Sequence, residues 1–247
     1  MIGRPNVSAE EIGTLIEKDQ VLSAKVLRLA NSPFYGFPSR IASVAHAVVV
    51  LGLNVVKGLT LCATAFDMMR NAGMNELWRH SLGVAMTAHI LGTKAAMKNP
   101  EEVFVAGLLH DIGKVVLYVK WPDVGQQITA VTRNTSQPLM DVEQELFEVT
   151  HADVGGWLAS AWHLPTSLRE PILHHHTPAA AQDAKLQTAI VHVADVLVKG
   201  LACGNPGDDL VPPLSRQAWD LVGLDAQSLA HCLTQATEEF QTIDDYL

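Results

Sequence analysis

The sharpest concentration of reactive side chains in this chain is Gly107-Leu108-Leu109-His110-Asp111-Ile112-Gly113-Lys114. An imidazole beside a carboxylate in so apolar a segment is unusual, because a buried carboxylate needs hydrogen bonds, a counter-charge or a metal. Neighbouring residues on a helix diverge by about 100°, yet His110 and Asp111 can both reach one ion over the helix flank, one through nitrogen and one through oxygen. Lys114, four residues beyond His110 and three beyond Asp111, shares their face. A cation there neutralises the carboxylate or meets an anionic ligand such as a phosphate. The same residues equally suit a His–Asp pair tied to Lys114 and to backbone with no ligand at all.

Eleven histidines are present, so convergence has to be argued one residue at a time. On the helix predicted over Trp78 to Gly92, His80 and His89 lie on opposite sides and cannot serve one site. His80 shares a face with Val84, Thr87 and Leu91 and is the candidate ligand, which leaves His89 to the surface. His151 follows a cap residue and opens a helix, with Gly155-Gly156 nearby to let another element approach. Within His174-His175-His176, neighbours point in different directions, so at most two share an ion. Asp195, alone among Ile190-Val191-His192-Val193-Ala194 and Val196-Leu197, needs a partner. His46, His163, His192 and His231 lack such company and read as structural.

The elements that must position these groups are helices. Ser8-Ala9-Glu10-Glu11 is a capping box, and apolar helical spacing runs from Ile12 to Ala30 until Asn31-Ser32-Pro33 ends it. Phe34-Tyr35-Gly36-Phe37-Pro38 reads as an aromatic turn. Helices are predicted over Ser43–Val50 and Asn54–Met69, although the Val48-Val49-Val50 run has strand propensity. A long helix follows over Glu76–Ala96. Asn99-Pro100-Glu101-Glu102 then starts another, carrying Phe104 to Tyr118 and ending near Trp121-Pro122. Further helix starts fall at Asp123 and at two capping boxes, Thr150-His151-Ala152-Asp153 and Ser167-Leu168-Arg169-Glu170. Leu186–Leu201 is strongly apolar and helical, Gly204 to Pro213 is a linker, and the tail is amphipathic. The expected fold class is all-α: an N-terminal helical part over residues 1–72, a helical bundle over 73–201, and a linker with helical tail over 202–247.

Composition bounds the function. The 247 residues carry 48% hydrophobic and 17% charged side chains, which is globular, and a net charge of −9 disfavours nucleic acid as a partner. Three cysteines without CxxC spacing argue against a disulfide framework and for a reducing compartment. The apolar stretch Ala42–Phe66 is broken by His46, Asn54 and Lys57, short of a membrane span, so a cytoplasmic protein is expected.

The order His80, His110-Asp111, His151, His175-His176, Asp195 resembles the ligand order of the HD superfamily of metal-dependent phosphohydrolases. The chain more specifically resembles an HDOD module of bacterial signalling proteins. The matching stretches are Leu22–Ser32 followed by Phe34-Tyr35-Gly36, Val50–Asn54, Leu77–Ser81, Gly107–Lys114, His151–Gly155 and Trp162–Pro165. That resemblance implies a divalent metal (iron, manganese or zinc) held by His80, His110, Asp111, His151, His175, His176 and Asp195, with Asp111 and Lys114 in any catalytic role. It implies a signalling unit without an established reaction, coupled to a protein partner or to an upstream sensory or receiver domain. The alternative is hydrolysis of a nucleotide or another small phosphorylated ligand. After His175-His176 comes Thr177-Pro178 rather than an acid and a Gly-Tyr-Pro stretch, a departure from the cyclic-di-GMP phosphodiesterase branch. The chain also starts almost inside the family's usual N-terminal region, which suggests a piece of a longer regulator.

Overall fold

The computed structural model describes residues 16–32, 39–135 and 137–241. The Ser8 capping box and the Phe34–Pro38 turn therefore lie outside the described residues. Within them the chain is helical, with no strand. Helix α1 (Gln20–Ala30) starts where the Asp19 carboxylate accepts the Val21 and Leu22 N–H groups. It stops at Asn31, whose side-chain amide bridges the Leu27 and Ile41 carbonyls. Helix α2 (Val44–Leu51) is capped by Ser43. Gly52, at φ 85°, a region glycine adopts without strain, then turns the chain into α3 (Leu53–Asn71). The Val48–Val50 run is thus helical, as its surroundings predict.

After α4 (Asn75–Lys94) comes a correction. The single helix expected from Asn99 to Trp121 is two: α5 (Pro100–Leu109) and α6 (Ile112–Lys120), broken at His110-Asp111. The cause is local. The His110 ring turns its Nδ1 onto the Gly107 carbonyl at 2.7 Å, and Asp111 leaves helical geometry at φ −97°, ψ 14°. Helix α7 (Pro122–Asn134) follows, then α8 (Leu139–Phe147), which the sequence reading missed. Helix α9 (His151–Ala161) has the predicted capping box, with Thr150 and Asp153 exchanging bonds.

Helix α10 (Thr166–His174) does not use the second predicted box: it starts after Pro165 with no side-chain cap. Glu170 instead points its carboxylate at the turn beyond the helix, accepting the N–H groups of Gln182, Asp183 and Ala184 at 3.2, 3.1 and 2.7 Å. A 3₁₀ turn (Pro178–Ala180) leads to α11 (Lys185–Gly200), and α12 (Arg216–Val222) and α13 (Ala226–Phe240) are the last helices among the described residues.

Helix α4 runs through the interior, covered by α5, α11 and α13. One apolar cluster extends from Ile16 to Ala236 and so passes through all three expected segments. The α7–α8 pair has its own small cluster of Ile128, Leu139 and Val142. Cys62, Cys203 and Cys232 are all buried. No helix among the described residues is long and apolar enough to cross a membrane.

The close fit of α6 against α9 sets the position of His151. A Cβ placed on Gly113 would run into the His151 carbonyl oxygen and come within 2.9 Å of the Gly155 nitrogen. Those obstacles are backbone, which cannot rotate away. Gly113→Ala is therefore expected to destabilise at or above the upper end of the range of about 1–3 kcal/mol typical of overpacking, read as a lowered midpoint in urea unfolding.

Candidate metal centre

Five places in the fold deliver the expected residues to one point. His80 comes from the second turn of α4, His110 and Asp111 from the α5–α6 break, and His151 from the first residue of α9. His175 and His176 follow the end of α10, and Asp195 lies in α11. The ligand atoms of His80, His110 and Asp195 lie within 4.8 Å of one another. The same holds for His151, His175 and His176, and for His110, Asp111 and His175. Asp111 faces both sides. Its Oδ2 is 3.3 Å from His110 Nε2 and 3.9 Å from His80 Nε2, while its Oδ1 is 3.3 Å from His151 Nε2 and 3.7 Å from His175 Nε2. Asp195 Oδ1 is 3.0 Å from His80 Nε2, and the His151 and His176 Nε2 atoms are 3.0 Å apart. Apart from half-buried His176, all these residues are buried.

The rings are held from behind. His110 donates Nδ1–H to Gly107 O at 2.7 Å, and His175 donates Nδ1–H to Ile172 O at 2.9 Å. Each sits just past the end of its helix, where backbone carbonyls lack intrahelical partners. One bond thus satisfies a helix end and fixes the tautomer, leaving Nε2 with its lone pair facing inward.

Two contributors escaped the sequence reading. His192, which the sequence marks only as structural, is structural to the site: its Nδ1 donates to the His175 carbonyl at 2.7 Å and its Nε2 accepts the Ser215 N–H at 3.0 Å. Glu143, on unforeseen α8, is fully buried with Oε2 at 2.6 Å from His151 Nδ1. The signal for it was an acid one turn beyond buried Leu139 and next to Val142. His89 is a correction in the other direction. It is half-buried, edge-on to Phe104, and burial pushes its imidazole down to about 4.

The charge pattern suits cation binding. Burial lowers His80, an effect the adjacent Asp195 carboxylate only partly offsets; burial and the neighbouring imidazoles hold His175 and His176 well below the ordinary histidine value. For Asp111 and Asp195 burial acts upward, but His110 and Lys114 beside the first, and His80 beside the second, hold both well below the usual carboxylate range. His110 alone is raised, because Asp111 outweighs its burial. Neutral imidazoles and ionised carboxylates are the forms that coordinate metals. One test of fit is the set of buried atoms without a hydrogen-bond partner. It includes Nε2 of His80, His110 and His175, Oδ1 of Asp111, and both oxygens of Asp195. Each such orphan costs about 1–3 kcal/mol, and the residues that carry them belong to the clusters of ligand atoms within 4.8 Å of one another that a cation could fill.

Residues 1–178 match the sequence profile of the HDOD domain. The chain belongs to the HDOD domain family. An HDOD domain protein from Geobacter sulfurreducens is 28% identical, superposes with a TM-score of 0.76, and is matched over 100% of this chain and 89% of its own. A Marinobacter aquaeolei VT8 protein, provisionally named a signal transduction protein, is 20% identical with a TM-score of 0.70, over 99% of this chain and 55% of its own. At that identity the likeness shows the shared fold. An uncharacterized protein of Treponema pallidum (strain Nichols) is 26% identical over 215 residues, 85% of this chain and 42% of that protein. The HDOD chain described here thus spans less than half of that relative.

Lys114 gives the site its sharpest energetic test. Lys114 is 3% exposed, and its ammonium is 2.8 Å from Asp111 Oδ2. Burial acts to lower it, yet Asp111 outweighs this and raises it above the ordinary lysine value. Asp111→Asn leaves that charge buried without its partner and is expected to cost about 3–5 kcal/mol in metal-free protein. Adding Lys114→Met should recover most of the loss, as measured by chemical denaturation of both variants.

Proposed function

We propose that this HDOD chain is a signalling module built around a divalent metal centre, acting by binding a partner rather than by turnover. The observation that carries the metal is the convergence of inward-facing, unpartnered Nε2 and carboxylate atoms. His80, His110, Asp195 and Asp111 Oδ2 form one donor set; His151, His175, His176 and Asp111 Oδ1 form another. The Asp111 carboxylate thus stands where it can be shared between two ions. Imidazole with carboxylate suits iron, manganese or zinc better than calcium. The burial of most of these side chains supports a centre that organises the fold around it. The partner expected is a protein or a sensory or receiver domain of a longer regulator. A net charge of −9 works against nucleic acid.

One observation favours a second reading, hydrolysis of a phosphoester. Lys114 also lines a cavity of about 700 Å³, together with Glu76, Leu77, Tyr118, Arg133 and Asp208. A phosphorylated ligand there would meet an ammonium already anchored on Asp111. A bound divalent ion supplies a water of lowered pKa and polarises a phosphoryl oxygen. In that reading Asp111 holds its neighbours in register and Lys114 binds and neutralises the phosphate.

Protein purified without chelator is expected to contain transition metal by elemental analysis. His110→Ala and Asp111→Ala should lose that metal while keeping their helical circular dichroism. Metal retained by both variants sinks the centre. In a phosphoester panel with added manganese or iron, no metal-dependent turnover is expected. Turnover present in the parent and absent in both variants replaces the binding reading with the hydrolytic one.

A further inference from the structure

We infer that Glu143 is the positioning residue of this centre, the group that makes His151 able to act as a ligand. The argument starts from where His151 sits. His110 and His175 follow helix C-termini, where unpaired carbonyls take their Nδ1–H. His151 is the first residue of α9, and a helix N-terminus offers unpaired N–H donors and no acceptors. The local backbone therefore cannot fix its ring as it fixes the other two. In water a neutral imidazole favours the Nε2–H form, which would aim a proton at Asp111 Oδ1, 3.3 Å from Nε2, instead of a lone pair at the centre.

Glu143 resolves both problems with one oxygen. Its Oε2 accepts the backbone N–H of His151 at 2.8 Å and the ring Nδ1–H of the same residue at 2.6 Å. The first bond satisfies a helix-start donor. The second holds the proton on Nδ1 and locks the ring relative to its own backbone. A carboxylate is the fitting acceptor, since negative charge is favoured at a helix N-terminus. Its other oxygen, Oε1, is buried with no hydrogen-bond partner, so the side chain is aimed by these two bonds. The supply line is long. Glu143 rides on α8, which is seated by the small Ile128–Leu139–Val142 cluster and by Asp208, whose Oδ2 accepts the Leu139 N–H at 2.9 Å.

The test has two arms, and only the second rests on the metal reading. In metal-free protein at mildly alkaline pH, imidazole ¹⁵N shifts, assigned through a His151→Gln variant, should show His151 as the Nδ1–H tautomer. Glu143→Met should convert it to Nε2–H, and Glu143→Gln, which retains an acceptor oxygen, should restore Nδ1–H. An Nε2–H His151 in the parent, or an unchanged tautomer in Glu143→Met, overturns the assignment; the parent spectrum alone decides if Glu143→Met does not fold. For the second arm, manganese(II) binding is followed by loss of the free-ion paramagnetic signal. Affinity should fall 10–100-fold in Glu143→Met, with most of it recovered in Glu143→Gln. Unchanged affinity in Glu143→Met overturns the positioning role. A parent that binds no manganese while its tautomer follows Glu143 defeats the metal centre and leaves the Glu143–His151 relation standing.

Discussion

An ionised carboxylate in the middle of an apolar helical bundle is the constraint around which this molecule is arranged. Asp111 is buried, as are its sequence neighbours Leu108, Leu109, Ile112 and Val115, and there an isolated charge would neutralise or unfold its surroundings. It stays because Lys114 and four imidazoles surround it within 3.9 Å. Those neighbours are polar and buried in turn, so each needs its own support. The Gly107 and Ile172 carbonyls, Glu143 and the backbone of His175 are consequences of that one charge, reached one bond further out.

The helices are built to let these groups meet. Gly107 lets α5 lie on the backbone at Ala85 of α4, which brings His110 beside His80; Gly113 does the same for α6 and α9, which brings Asp111 beside His151. Larger residues at either contact would separate donors whose useful range is a few tenths of an ångström. Interior density makes such shifts costly, so the packing and the site geometry are one property.

Much of this was legible in the sequence because burying a polar residue leaves a mark. His80, His110, Asp111, Lys114 and Asp195 stand out as polar residues on apolar faces, and periodicity alone gives the all-α class. The Thr150 box located His151 at a helix start. What escaped was what depends on the ring rather than on the residue type. Periodicity ran straight through His110 because both halves are apolar, and nothing in the pattern says that an imidazole will take the Gly107 carbonyl and break the helix. Ser167–Glu170 fits the capping pattern, but a carboxylate meeting three N–H groups beyond the helix outbids a local cap. Glu143 sits in Asp141-Val142-Glu143-Gln144-Glu145, where acids ordinarily mean a solvated face. Only the third dimension, in which α8 lies beside the start of α9, sets it apart.

The same second layer ties the centre to the outside of the molecule. His192 holds the His175 carbonyl from within α11 and reaches the Ser215 backbone at the far end of the linker. Asp208, in the middle of that linker, joins Lys199 of α11 at 3.0 Å to the start of α8, and Asn205 donates its N–H to Glu76, one turn ahead of His80. A shift of the 204–215 segment would therefore act on three of the elements that aim donors at Asp111. If the module relays an input, as proposed above, this is the relevant economy. A change at an exposed linker reaches a buried centre through single hydrogen bonds, with no need to repack the core between them. Any coupling through these bonds is reciprocal: whatever tightens the donors around Asp111 would, by linkage, hold the linker more firmly in place.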